Sequence, residues 1–283
     1  MPYVVRIEDA AAAYPEYRFM TPLTASEQKA AFHVKDADGN DLCLKIIAPD
    51  YRVDRLEREI RALQLIAHPN VVRLVEYTFS SRPGSLRHFM VEDFVHGTDL
   101  SARLVAGEQW ERQQAADFFA ALFDGLSALD QKNIVHRDLK PSNIRVRNDG
   151  TPVIIDFGLA RLLDLPDLTL TCEGAAIGTL HYFAPEQFVG TKHDIDPRTD
   201  IFAAGVLLHQ ALVGQHPFWR LGMSSQEFQD AVCNSEDYKF SGEFGVLPER
   251  WRQLMGRLLE KSRARRPRHA AQVSAILRKI RTD

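Results

Sequence analysis

The sequence predicts an α+β chain of two lobes: a small β-rich part with one helix, ending near residue 95, and a larger, mainly helical part beyond it. Three observations carry this. Short apolar runs with strand character fall at 30–34, 42–47, 74–79 and 87–94. In 113–131, Phe119, Leu122, Leu126 and Leu129 recur at three and four, which puts them on one buried helical face. A length of 283 residues suits two lobes sharing one cleft.

Taken in order, residues 1–16 read as an amino-terminal extension with no clear pattern beyond the alanines at 10–13. Residues 17–95 form the β-rich lobe. Its first two clear strands are joined by the turn Asp36-Ala37-Asp38-Gly39-Asn40-Asp41, whose residue types suit a hairpin. Its helix lies near 53–67. Residues 96–283 form the helical lobe. The most apolar stretch, 201–214, contains His209 and Gln210 and is too short to span a bilayer, so it is expected to be a buried core helix.

With 45% hydrophobic and 26% charged residues, the chain has enough apolar surface to bury a core and is not a disordered segment. A net charge of −3 argues against a chain whose task is to neutralise nucleic-acid phosphates or coat an anionic membrane. One basic stretch, 252–281, has Glu260 as its single acid and is expected to be a solvated helix face, with docking of an acidic partner as the alternative. Cys43, Cys172 and Cys233 are too scattered for a disulfide framework or a zinc site, and no charged-then-apolar leader opens the sequence. A reducing cytoplasm is the expected compartment.

Three charged residues stand where a charge is costly unless it has a partner. Lys45 interrupts the apolar strand at 42–47, and Glu59 shares a helix face with Leu56 and Leu63. Asp156 directly follows the strand Val153-Ile154-Ile155 and precedes Phe157-Gly158. Each alone is explained by a structural ion pair. Between them, however, lies His136-Arg137-Asp138-Leu139-Lys140-Pro141-Ser142-Asn143, and Ala184-Pro185-Glu186 follows.

In this order and spacing, these motifs resemble the eukaryotic-type serine/threonine protein kinases, and bacterial members in particular. The resemblance runs from about residue 17 to the end and implies the bilobal kinase fold. It implies that Lys45 holds the α- and β-phosphates of ATP and is itself held by Glu59. It further implies that Asp138 accepts or orients the substrate hydroxyl proton, that Lys140 offsets charge on the transferred phosphoryl group, and that Asn143 and Asp156 bind magnesium. Backbone groups of Asp93 and Val95 would pair with adenine. Asp200 resembles the aspartate that braces the catalytic-loop backbone, and Glu186 with Arg266 an ion pair that anchors the activation segment. Lys140, with Gly178-Thr179, implies protein serine or threonine as acceptor.

The sequence departs from the family at the phosphate loop, where Leu23-Thr24-Ala25-Ser26-Glu27-Gln28-Lys29 contains no glycine. Ser26 and Lys29 stand where two of the glycines belong, and Lys29 is a candidate substitute charge toward phosphate. This loss keeps a second reading open, a pseudokinase that binds nucleotide or acts as a scaffold. Glu92 falls at the usually apolar gatekeeper position, and Arg145 falls where the adenine floor is usually leucine-like. Arg145 is expected either to stack beneath adenine or to point to solvent. In the activation segment, Thr171 is the expected autophosphorylation site, with Glu173 as a partial phosphate substitute. Partners implied are ATP, protein substrates and a larger parent chain or regulator, with no nucleic acid and no membrane span.

Overall fold

The computed structural model describes residues 2–79, 88–105, 109–163, 180–189 and 194–281. They divide into two compact units: 1–67 with 72–95, and 68–71 with 96–283.

The first unit is built on an antiparallel sheet of five strands, β1 (Arg18–Pro22), β2 (Lys29–Lys35), β3 (Asp41–Ile47), β4 (Leu74–Phe79) and β5 (His88–Asp93), in the order β1-β2-β3-β5-β4. The turn between β2 and β3 is closed by Asp36, whose backbone carbonyl accepts from Gly39 N at 3.1 Å and whose Oδ1 accepts from Asn40 N at 2.9 Å. This turn sets the register, so Ala31 lies opposite Lys45 and Lys29 opposite Ile47.

Because side chains alternate across a strand, the register sorts the residues onto two faces. Ala30, Phe32, Val34, Leu42, Leu44, Ile46, Phe89 and Val91 are buried in one cluster. The cover for that cluster comes from the amino-terminal residues. Helix α1 (Ile7–Ala13) buries Ala10, and Tyr14 meets Phe89 edge-on at 4.9 Å. Tyr17 is buried in the same cluster and donates its hydroxyl to Glu76 at 2.7 Å. Helix α1 escapes a pattern search because it is short and alanine-rich, and a single fully buried alanine marks its inner face. Helix α2 (Val53–Gln64) buries Leu56, Glu59, Ile60, Ala62 and Leu63, the spacing of one helical stripe.

In the second unit, which also contains α4 (Pro185–Val189), α6 (Ser225–Asn234) and α7 (Glu249–Leu258), helices α3 (Arg112–Asp130) and α8 (Ala270–Ile280) pack together, and α5 (Arg198–Val213) is buried along almost its whole length. Its end is set by Gly214, at φ 75°, whose N–H bonds Gln210 O, a left-handed closure that favours glycine. A three-stranded sheet orders β6 (Gly97–Asp99), β8 (Ile144–Arg147) and β9 (Pro152–Ile154), with the two-residue strand β7 (Ile134–Val135) outside it. Gly97 cannot be replaced, because a Cβ there would sit 1.9 Å from the carbonyl oxygen of Val146. Asn70 ties the 68–71 segment to β9 through Asn70 Nδ2 to Pro152 O and Ile154 N to Asn70 O, each 2.8 Å. Among the described residues no helix is long and apolar enough to cross a membrane, and Cys43 and Cys233 are free thiols. Cys172, Thr171, Glu173 and Thr179 lie outside the described residues.

Candidate active site

In the second unit, the loop 136–143 is held from below by one buried carboxylate. Asp200 accepts the backbone N–H of His136 at 2.7 Å and of Arg137 at 2.9 Å. Burial pushes its carboxyl above the ordinary range, while the charges of His136 and Arg137 and the two amide donors pull it back. Arg137 adopts φ 70°, a strained value for a side-chain-bearing residue, and its carbonyl accepts from Gln187 Nε2 at 2.9 Å.

This bracing presents Asp138. Its Oδ2 accepts from Lys140 Nζ at 2.8 Å and from Asn143 Nδ2 at 3.0 Å. Asn143 Nδ2 also bonds the Asp138 carbonyl at 2.8 Å. The other carboxylate oxygen, Oδ1, is buried and accepts no hydrogen bond from the described residues.

Asn143 and Asp156 are brought together by the β8–β9 ladder, since Ile155 N donates to Asn143 O at 2.9 Å. Asp156 sits at φ 60°, a second strained position, with Gly158 N 3.4 Å from its Oδ1. Phe157, fully buried, meets His136 edge-on at 4.9 Å. Farther along, Arg266 grips Glu186 with two parallel bonds of 2.7 and 2.8 Å, and Thr199 Oγ1 adds a third at 2.9 Å.

Arg145 is held by partners within its own unit. Its guanidinium donates to Asp99 Oδ1 at 2.8 Å and to Gly97 O at 2.5 Å, because the β6–β8 register sets Asp99 opposite it.

In the first unit, Lys45 Nζ lies 2.7 Å from Glu92 Oε2, and Lys29 Nζ lies 2.5 Å from Glu59 Oε1. All four residues are nearly inaccessible to solvent, at 9%, 2%, 7% and 1% exposure respectively. Glu92 therefore serves as a counter-charge, which explains a carboxylate at a normally apolar position. Neither partner was named from the sequence. The signal was present, however: counting outward from the 36–41 turn places Lys29 on the same face as Lys45.

The glycine-free loop closes as a tight turn. Ser26 N bonds Lys29 O at 3.0 Å, and Ser26 Oγ accepts from Lys29 N at 3.0 Å. Ser26 O accepts Tyr3 N at 2.8 Å, and Gln28 O accepts Ala48 N at 2.9 Å. Serine thus supplies by its side chain a closure that needs no positive φ. At the end of β5, Asp93 donates its N–H to Arg73 O at 3.0 Å, and its carboxylate holds the Arg73 guanidinium at 2.6 and 2.9 Å.

The braced loop, the asparagine tied to Asp138 and the adjoining strained Asp156 thus lie together in the second unit. The protein kinase domain profile matches residues 29–276, and the chain belongs to that family. Similar proteins include serine/threonine-protein kinase pkn2 of Myxococcus xanthus, 31% identical over 84% of this chain and 29% of its own length. Serine/threonine-protein kinase Pkn1 of the same organism is 35% identical over 62% of this chain and 24% of its own. A probable serine/threonine-protein kinase of Corynebacterium efficiens is 32% identical over 64% of this chain and 28% of its own. The chain spans less than a third of the length of each of these relatives. The family acts with ATP and a divalent metal.

Proposed function

We propose that the protein transfers the γ-phosphoryl group of ATP to serine or threonine hydroxyls of proteins, itself included. The observation that carries this reading is Asp138. One oxygen is fixed by Lys140 and Asn143, and the other is buried with no hydrogen bond among the described residues, an acceptor held for an incoming hydroxyl.

Each residue then has a task. Asp138 orients the hydroxyl and takes up its proton, and Lys140, already beside it, offsets charge on the transferred group. Lys45, with Glu59 on helix α2, is assigned to the nucleotide's phosphates. Asp93 and Val95 are assigned to adenine; the Asp93 N–H is engaged by Arg73, so its carbonyl is the group to offer. Ser26 and Lys29 shape the loop that faces the phosphates.

Asn143 and Asp156 fit a divalent metal, and magnesium in particular. Their donors are hard oxygens, and the amide nitrogen of Asn143 is already committed to Asp138. No group of three or more metal-binding side chains occurs among the described residues, so phosphate and water would complete the coordination, as magnesium prefers. Bound there, the metal would neutralise phosphate charge.

A cytoplasmic location and a larger parent chain or regulatory partner belong to the same proposal. A nucleotide-binding scaffold is the alternative, favoured by the closed, glycine-free turn at Ser26. Radiolabelled ATP, a generic basic protein and the purified chain, with and without magnesium, decide between them. Magnesium-dependent label on protein is expected, and its absence at high enzyme concentration would leave the scaffold.

A further inference from the structure

Four charged side chains share one face of the first unit's sheet and its helix. Strand β3 directs Lys45 to the same face as Cys43, and the β3–β5 register sets Cys43 opposite Glu92. The β2–β3 register sets Ala31 opposite Lys45, which puts Lys29, two residues earlier, on that face as well. Glu59 enters from helix α2. The ion pairs run Lys45 to Glu92, strand to strand, and Lys29 to Glu59, strand to helix.

We infer that Glu92 and Lys29 are positioning residues for the phosphate-binding lysine and the helix glutamate. This rests on the reading of Lys45 given above. Glu92 lies in the strand next to that of Lys45, so it directs the ammonium from within a hydrogen-bonded ladder, whose geometry does not change when a helix shifts. Lys29 ties Glu59, and with it helix α2, to the first residue of β2, immediately after the glycine-free turn. A lysine at this position therefore has a use apart from touching phosphate: it couples the turn that covers the nucleotide to the helix. The side chains in these pairs are 11% and 2%, and 8% and 0%, exposed, so solvent screens neither pair.

The test uses the whole chain and measures kcat, the KM for ATP and the thermal midpoint without nucleotide. Lys45→Met is the reference. Its loss of activity is expected, and wild-type activity there would remove the reading of Lys45 itself. Given that loss, Glu92→Gln, which keeps size and removes charge, is expected to cost about tenfold to a hundredfold in kcat/KM, the worth of one charge-assisted hydrogen bond. Glu92→Asp is expected to recover part of it. Wild-type kinetics in Glu92→Gln would overturn the inference while leaving Lys45 in place. So would a loss that follows the thermal midpoint and is not relieved by Glu92→Asp, because that describes packing alone. For the second pair, Lys29→Met is measured alone and together with Glu59→Gln. If Lys29 acts through Glu59, Lys29→Met adds about nothing to the loss in ATP affinity already caused by Glu59→Gln. Full additivity would mean that Lys29 reaches the nucleotide on its own, which overturns its assignment.

Discussion

The two faces of the five-stranded sheet carry opposite chemistry. One face is a continuous apolar cluster closed by residues before the first strand, Ala10, Tyr14 and Tyr17. The other carries Lys29, Lys45 and Glu92, buried almost as deeply. Apolar packing is non-directional and tolerates exchange among side chains of similar volume. A buried charge needs one partner at one place. The strands are therefore under two different constraints at alternate residues, and the second unit repeats the division between the α3, α5 and α8 core and the loop around Asp138.

This contrast can be broken by substitutions that separate rate from stability. The largest effect is expected at Asp138. Asp138→Asn keeps the shape but removes the proton acceptor, and phosphoryl transfer should fall by about a thousandfold or more with the thermal midpoint little changed. Asp156→Asn should behave alike if it holds the metal. Steady-state assays beside thermal unfolding decide both, and near-wild-type turnover in either would leave that carboxylate outside the chemistry.

On the apolar face the order reverses. Phe32 is 1% exposed and meets Phe19 edge-on at 5.3 Å. Phe32→Ala should cost about 3–5 kcal/mol of stability. At temperatures where the variant stays folded, its KM for ATP should match the parent's. Denaturant unfolding read alongside the ATP assay would show whether that face contributes packing alone.

A middle-sized effect sharpens the contrast within the second unit, where two buried imidazoles act as neutral packing groups. His216 accepts the N–H groups of Phe218 and Trp219 on Nδ1, at 3.1 and 2.9 Å, and donates from Nε2 to His181 O at 2.8 Å. Only a ring with one proton fits all three bonds. Burial lowers its pKa to about 3, and lowers that of His209 to about 4. With folded values below the unfolded value of about 6.5, the unfolded chain binds more protons below that pH. Stability is thus complete above about pH 6.5 and falls as the pH drops toward 3. Near pH 5 the loss should be about 2 kcal/mol from each histidine. Urea unfolding from pH 7.5 to 5 measures the slope, which should be shallower in His216→Gln.

The smallest effect belongs to the seam between the amino-terminal cover and the sheet. Tyr17→Phe deletes the hydroxyl bonded to Glu76 and keeps the ring in the apolar cluster. A loss of about 1 kcal/mol is expected. A markedly larger loss in thermal unfolding would mean that the cover is held by polar contacts more than by packing.

Much of the architecture could be read from local pattern, because alternation and helical period are written into neighbouring residues. Strands β2 to β5 and helices α2 and α3 fall within a few residues of their expected limits. The loop at 136–143 and the Asp-Phe-Gly at 156–158 could be recognised because their chemistry needs particular residue types at fixed short spacing. The bidentate Glu186–Arg266 pair, 80 residues apart, came from resemblance and not from pattern.

What sequence alone determined about this protein is therefore its two-part organisation, its kinase family and the identity of its charged residues. Only the tertiary structure decided the pairings of Lys29, Lys45 and Arg145. Glu59 and Lys29, 30 residues apart, meet because a turn sets a strand register and a helix packs on the same sheet through β4. In the same way, Arg145 is turned to Asp99 by the pairing of β6 with β8, and the cover of the apolar face comes from a seven-residue helix with too few inward positions to show a period. An ion pair is fixed by where two backbones are brought, and long-range register is a property of the folded sheet that no short window of residues contains.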